Sequence, residues 1–209
     1  MSTLPKFLYH GTRAVHLTAI LENDLLPRSQ SGVSQWDHTV QSHENAVYLS
    51  TAYALHFAIN AQAEGDVVVV EVDTEWLDHF NLVADEDALA HCVREAATAG
   101  MSLQERTLYY RDRLSSYSAE YSLARLGTCA HLGPVPKRAI RRVVRIPADQ
   151  IPTLVFGGFD PVIHPVNYEI HGAEYNESLR WLFRDTPVCA INPRMPDVPR
   201  EVIWVNADE

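Results

Sequence analysis

The sequence predicts an α+β fold, and three observations carry that prediction. Residues 66–72 form a nearly continuous apolar run, Val67-Val68-Val69-Val70 followed by Glu71 and Val72, suited to a strand buried on both faces. Two shorter apolar segments, Phe7–Tyr9 and Ala46–Leu49, read as strands ahead of it. Segments with helical periodicity alternate with these and continue beyond them, so helices and strands must share one core.

Taken in order, Phe7–Tyr9 reads as a strand ending at His10, where Gly11 would let the backbone turn tightly. Val15–Leu25 carries apolar residues at Val15, Ala19, Ile20 and Leu25 and reads as a helix stopped by Pro27. Residues 28–45 lack periodicity and read as a long loop. Trp76–Leu82 is a connector. Asp85–Gly100 reads as a helix whose opening Asp85-Glu86-Asp87 suits the positive end of the macrodipole. Leu103–Tyr121 reads as a second helix, and the pair forms an insertion over about residues 84–122. Leu132-Gly133-Pro134-Val135-Pro136 turns the chain into a strand over Ala139–Ile146. Beyond Gln150 the composition shifts, with seven of the twelve prolines lying there. Leu154–Phe156 reads as a strand, Ala173–Phe183 as a helix and Val202–Val205 as a last strand. The expected organisation is one domain over 1–150 and a C-terminal extension over 151–209 packed on it.

At 209 residues, with 46% apolar and 21% charged residues, the chain can bury a sizeable core and is not expected to be disordered. A net charge of -10 argues against affinity from broad phosphate neutralisation. Lys137–Arg145 nevertheless packs five positive charges into nine residues, either as a solvated amphipathic strand or as a surface for nucleic acid or an acidic partner. Cys92, Cys129 and Cys189 are an odd count at wide spacing, so no disulfide framework is expected. No signal segment or membrane span is read, and a reduced cytoplasmic setting with no membrane partner is the expectation.

Leu8-Tyr9-His10-Gly11-Thr12 places polar residues at a strand end, and Val47-Tyr48-Leu49-Ser50 puts Tyr48 and Ser50 on one strand face. Together with the small-residue segment Thr51–Ala63, their order and spacing resemble the ADP-ribosyltransferase superfamily, in its His-Tyr-Glu branch. That branch includes the diphtheria-type toxins, the poly-ADP-ribose polymerases and the rifampin-modifying transferases. The resemblance covers about the first 75 residues well and the stretch to about Ile146 loosely. It implies a split mixed sheet with flanking helices over 1–150, NAD as co-substrate and no metal. The implied activity is mono-ADP-ribosyl transfer to a protein or nucleic-acid acceptor. An antitoxin or regulator is the further partner that a toxin-like member would have.

Cleaving nicotinamide from ribose passes through an oxocarbenium-like transition state, so the site must grip the amide and stabilise positive charge. By resemblance His10 would bond ribose hydroxyls, Gly11 would pair its backbone with the carboxamide, and Thr12 would support that strand end. Tyr48 would stack on nicotinamide beside Ser50, and Tyr53 and Phe57 would wall the pocket or pack the core. The bland alternatives are a carbonyl-capped His10 and a core Tyr48. The third catalytic position is open. Glu120 is one candidate, the late-strand segment with Thr128, Cys129 and His131 is another, Asp78 is a third, and a chain with no catalytic acid is the fourth. Cys129 and His131 could also join His38 and His43 around zinc, or act as a Cys–His nucleophile. Two rival functions remain: an RNA 2′-phosphotransferase relative, which would require Arg13 and a second arginine in one pocket, and a catalytically silent NAD-binding or partner-binding module.

Overall fold

Strand β3 (Val67–Asp73) is buried at every position, as a valine run flanked by strands on both sides and helices on both faces requires. The computed structural model describes residues 4–32, 42–61, 64–156, 168–184 and 197–206. In chain order they form β1 (Phe7–Arg13), α1 (Leu17–Glu22), α2 (Arg28–Ser31), β2 (Ala46–Ser50), α3 (Ala54–Asn60), β3, β4 (Leu82–Val83), α4 (Glu86–Cys92) and α5 (Leu103–Arg111). There follow α6 (Ala119–Leu126), β5 (Thr128–Leu132), β6 (Ile140–Ile146), α7 (Ile151–Phe156), α8 (Tyr168–Leu182) and β7 (Glu201–Trp204).

Among the described residues the seven strands make one sheet in the order β4-β5-β2-β1-β3-β6-β7. Every pairing is antiparallel, which corrects the mixed sheet implied by the resemblance. β1 pairs with β3 over seven registered positions but with β2 only at Tyr9↔Ser50. The sheet is thus joined weakly at its centre, and β1 continues through His10 and Gly11 to Arg13 instead of turning.

One core joins Leu8, Val68, Val70 and Val72 to Val47, Leu49 and Cys129, covered by Leu17, Ile20 and Leu123. A second, on the other face, joins Tyr9, Val67 and Val69 to Ala54 and Ala58 of α3 and to Leu179 and Leu182 of α8. Gly11 faces α3 so closely that an added Cβ would stand 1.8 Å from the Ala54 carbonyl oxygen. The glycine therefore permits close helix-on-strand packing, and its φ is not in the left-handed region. A third cluster, with Ala84, Leu89, Ala90, Tyr110 and Leu126, holds α4, α5 and α6 together.

Several boundaries depart from the expected ones. The helix expected over Asp85–Gly100 stops at Cys92, and the one over Leu103–Tyr121 breaks after Arg111. Ser118 then starts α6, its hydroxyl accepting the Tyr121 N–H at 3.1 Å. Leu154–Phe156 lies in helix α7, not a strand. Pro152 fits a helix's first turn, and Leu154 is buried from it. β7 pairs with β6, and α8 contributes to the second core, so the described parts of 151–209 pack on the 1–150 sheet. No helix among the described residues is long and apolar enough to cross a membrane.

Candidate functional site

Tyr48 projects from β2 on the face opposite Val47 and Leu49, toward the start of α4. Its hydroxyl donates to Glu86 Oε1 at 2.6 Å and accepts the His43 N–H at 2.9 Å. The same His43 N–H lies 2.9 Å from Glu86 Oε1, and Arg111, the last residue of α5, approaches that oxygen to 3.6 Å. Glu86 is fully buried, and its Oε2 has no hydrogen-bond partner among the described residues. Oε1 thus takes two hydrogen bonds and one ion-pair contact, while Oε2 is buried without a partner among the described residues.

The helix start explains why an acid sits there. Asp85 caps α4 by accepting the Ala88 N–H at 2.9 Å, and its own N–H is held by the Ser122 hydroxyl at 3.1 Å. Glu86 then falls on the face shared with Leu89 and Ala90, which is the packed face. Asp87 accepts from the Ser42 hydroxyl, so Ser42 and His43 are pinned over the site from two sides. Burial, with Asp87 and Glu86 alongside, pushes Asp85 up to about 8. Burial and the neighbouring Glu86 push Asp87 up to about 6. Burial and then Glu86 raise the Tyr48 phenol well above its usual value, so it stays a neutral donor.

On β1, His10 Nδ1 lies 3.0 Å from the Tyr48 carbonyl oxygen, bridging the two halves of the sheet beyond their single registered pair. Burial lowers the His10 pKa against the opposing effect of that bond, which favours a neutral imidazole donating from Nδ1. The His10 ring thus meets the Tyr48 main-chain carbonyl, the contact of the carbonyl-capped alternative, while Glu120 lies exposed on α6. Glu86 is the acid bonded to Tyr48.

The remaining candidates are placed as follows. Gly11 packs on α3, and Thr12 is buried beside Val68. The Ser50 hydroxyl donates to the Gly127 carbonyl at 2.7 Å and accepts the Ala52 and Tyr53 N–H groups at 2.9 and 2.7 Å, so it builds the turn into α3. Tyr53 is fully buried, with its ring against His56, Phe57 and Tyr168. Thr128 and Cys129 are buried on β5, and burial carries the Cys129 thiol far above its ordinary range, which disfavours a thiolate nucleophile. His131 is buried with Nδ1 3.3 Å from the Gly133 carbonyl. Asp78 caps a turn, accepting the Phe80 N–H at 3.0 Å. No group of three or more metal-ligating side chains is found among the described residues, and His38 and Cys189 lie outside them. Arg13 donates to the Gly65 carbonyl at 2.9 Å and to the Ile59 carbonyl, tying β1 to the ends of the α3–β3 connection.

Sequence reasoning missed Glu86 because the acidic triplet was read only against the helix dipole. The signal was present in the spacing: Glu86 is three and four residues before Leu89 and Ala90, in phase with the apolar face. No protein-family model matches the chain, and no curated protein matches it.

Proposed function

We propose that the chain is an NAD-dependent mono-ADP-ribosyltransferase in which His10, Tyr48 and Glu86 form the reacting site. The observation that carries this reading is the buried Tyr48–Glu86 pair, in which Glu86 Oε2 bonds none of the described residues, together with His10 on the Tyr48 main chain. A carboxylate fixed by Tyr48, His43 and Arg111 can accept a ribose hydroxyl through its second oxygen. It can also stabilise the positive charge that develops as the nicotinamide bond lengthens. The Tyr48 ring supplies the apolar face against which a nicotinamide ring would lie. His10, as a neutral imidazole tied through Nδ1, keeps Nε2 for a ribose hydroxyl. Glu86 is covered by Ser42 and His43, so substrate entry requires that backbone to give way.

The test uses purified full-length chain, NAD labelled on the adenine side, and a cell lysate, with parallel nuclease and protease digestion. Retained label, with nicotinamide released in step, is the expected result, and the digestion that removes the label identifies the acceptor class. Glu86→Gln should lower transfer by roughly 10²–10³-fold, the scale of losing one transition-state contact. Glu120→Gln should leave transfer unchanged. NAD binding without nicotinamide release would identify a silent binding module, and equal activity in wild type and Glu86→Gln would remove Glu86 from the mechanism.

A further inference from the structure

The basic run 137–145 combines ion pairs with cation–ring contacts. Arg142 makes a bidentate pair with buried Glu71 at 2.7 and 2.8 Å, and Arg145 bonds Asp66 at 2.6 Å. Arg138 and Arg141 lie over aromatic rings, and Arg142 shares the Trp204 ring at 4.9 Å. The Arg138 guanidinium is 5.6 Å from the Trp76 ring centre, and Arg141 is 5.6 Å from Phe7 and 5.8 Å from Trp204. Lys6 Nζ lies 5.2 Å from the Phe7 ring. Trp76 and Trp204 are 49% and 55% exposed.

These side chains belong to one continuous surface. The Thr74 hydroxyl, two residues before Trp76, donates to the Pro5 carbonyl beside Lys6 at 2.8 Å. The Asn206 amide, two residues after Trp204, donates to the Lys137 and Ile140 carbonyls at 2.8 Å each. Cations and half-exposed indoles thus alternate across the ends of β1, β3, β6 and β7, in a chain whose net charge is -10.

We propose that Lys6, Phe7, Trp76, Arg138, Arg141 and Trp204 form a docking surface for single-stranded nucleic acid. Exposed cations complement phosphates, and indole faces stack on unpaired bases. An acidic peptide would engage the cations and leave the indoles idle. A duplex would keep its bases stacked on one another. The surface concerns binding and is assayed without NAD, so it stands or falls separately from the transferase reading.

The test is fluorescence anisotropy of labelled fifteen-residue oligo-dT and oligo-rU with full-length chain, from about 20 to 200 mM salt. Two exposed cations, Lys6 and Arg138, predict a slope of log affinity on log salt of about -1.4. Trp76→Ala should weaken binding about tenfold, within the range for one stacked base, and Trp76→Phe should restore most of it. Arg138→Ala, on the exposed side of its turn, should weaken binding and flatten the slope by about 0.7. No oligonucleotide binding by folded wild-type chain would overturn the proposal, as would binding unchanged in both Trp76→Ala and Arg138→Ala. Equal affinity for poly-glutamate, insensitive to Trp76→Ala, would overturn it in favour of an acidic protein partner.

Discussion

If the Tyr48–Glu86 bond is the structural centre of the site, removing it from either side must cost stability, and removing it from both sides must cost little more. Tyr48→Phe deletes the hydroxyl that donates to Oε1 at 2.6 Å and accepts from His43 at 2.9 Å. The bond is short, buried and made to a carboxylate, for which about 1.5–3 kcal/mol is typical. The His43 N–H and Arg111 still address Oε1 at 2.9 and 3.6 Å, so the loss should fall near the middle, about 2 kcal/mol. For a chain of this size that is a drop in melting temperature of roughly 4–8 °C. Glu86→Gln should cost a similar amount, since it keeps the volume and removes the carboxylate. Urea unfolding of the wild type, both single variants and the double variant closes the cycle, with an unchanged m value confirming that only stability has moved. The expected coupling is at least about 1.5 kcal/mol. Additivity of the two variants within about 0.5 kcal/mol would show that the residues act independently, and the reasoning that joins them into one site would fail.

Three other perturbations follow. Gly11→Ala places a methyl group 1.8 Å from the Ala54 carbonyl oxygen; α3 must move off β1, and a loss of about 3 kcal/mol or more in urea unfolding is expected. Arg142→Ala leaves Glu71, which is 1% exposed, without its bidentate partner; the cost should be about 3–5 kcal/mol, read as a lower urea midpoint. Asp85 has a folded pKa raised from 3.8 to about 8, so the folded state binds the extra proton and stability must fall as pH rises through that interval. Lowered pKa values at His10 and His131 act oppositely, but only below about 6.5. Melting temperature should therefore decline from pH 6.5 to 8 in the wild type and decline less in Asp85→Asn, which keeps a side chain able to cap α4; parallel profiles would refute this assignment.

What the sequence made legible was what periodicity and packing dictate. The valine run of β3, the Tyr48 strand and the late strand β6 stand close to where alternation and burial put them. The His10 ring meets the Tyr48 main chain. The errors have a common physical origin in non-local contacts. Gly11 looked like a turn because glycine is permissive, yet its role is set by Ala54, more than forty residues away. Leu154 looked like a strand residue in a short apolar run, where length cannot separate strand from buried helix. Ser50 looked like a ligand-facing hydroxyl, but its bonds to Gly127 and to the turn after it occupy it fully.

The acid illustrates why a group of residues drawn from three separate elements resists linear reading. Its tyrosine comes from β2, its histidine from β1 and its carboxylate from α4, and β1 and β2 share one registered pair. The His10 bond to the Tyr48 carbonyl supplies part of the continuity that the missing ladder would have given. Glu86 is then held to Tyr48 by its side chain alone, from an insertion with its own small core. Two consequences can be separated experimentally. Loosening the third cluster, for example at Leu89, should release Glu86 from Tyr48 and leave His10 in place. Cutting the His10 contact should instead loosen both halves of the sheet. Hydrogen exchange at β2 distinguishes them: faster exchange with His10→Ala but near-native protection with Leu89→Ala is the pattern that this division of labour requires.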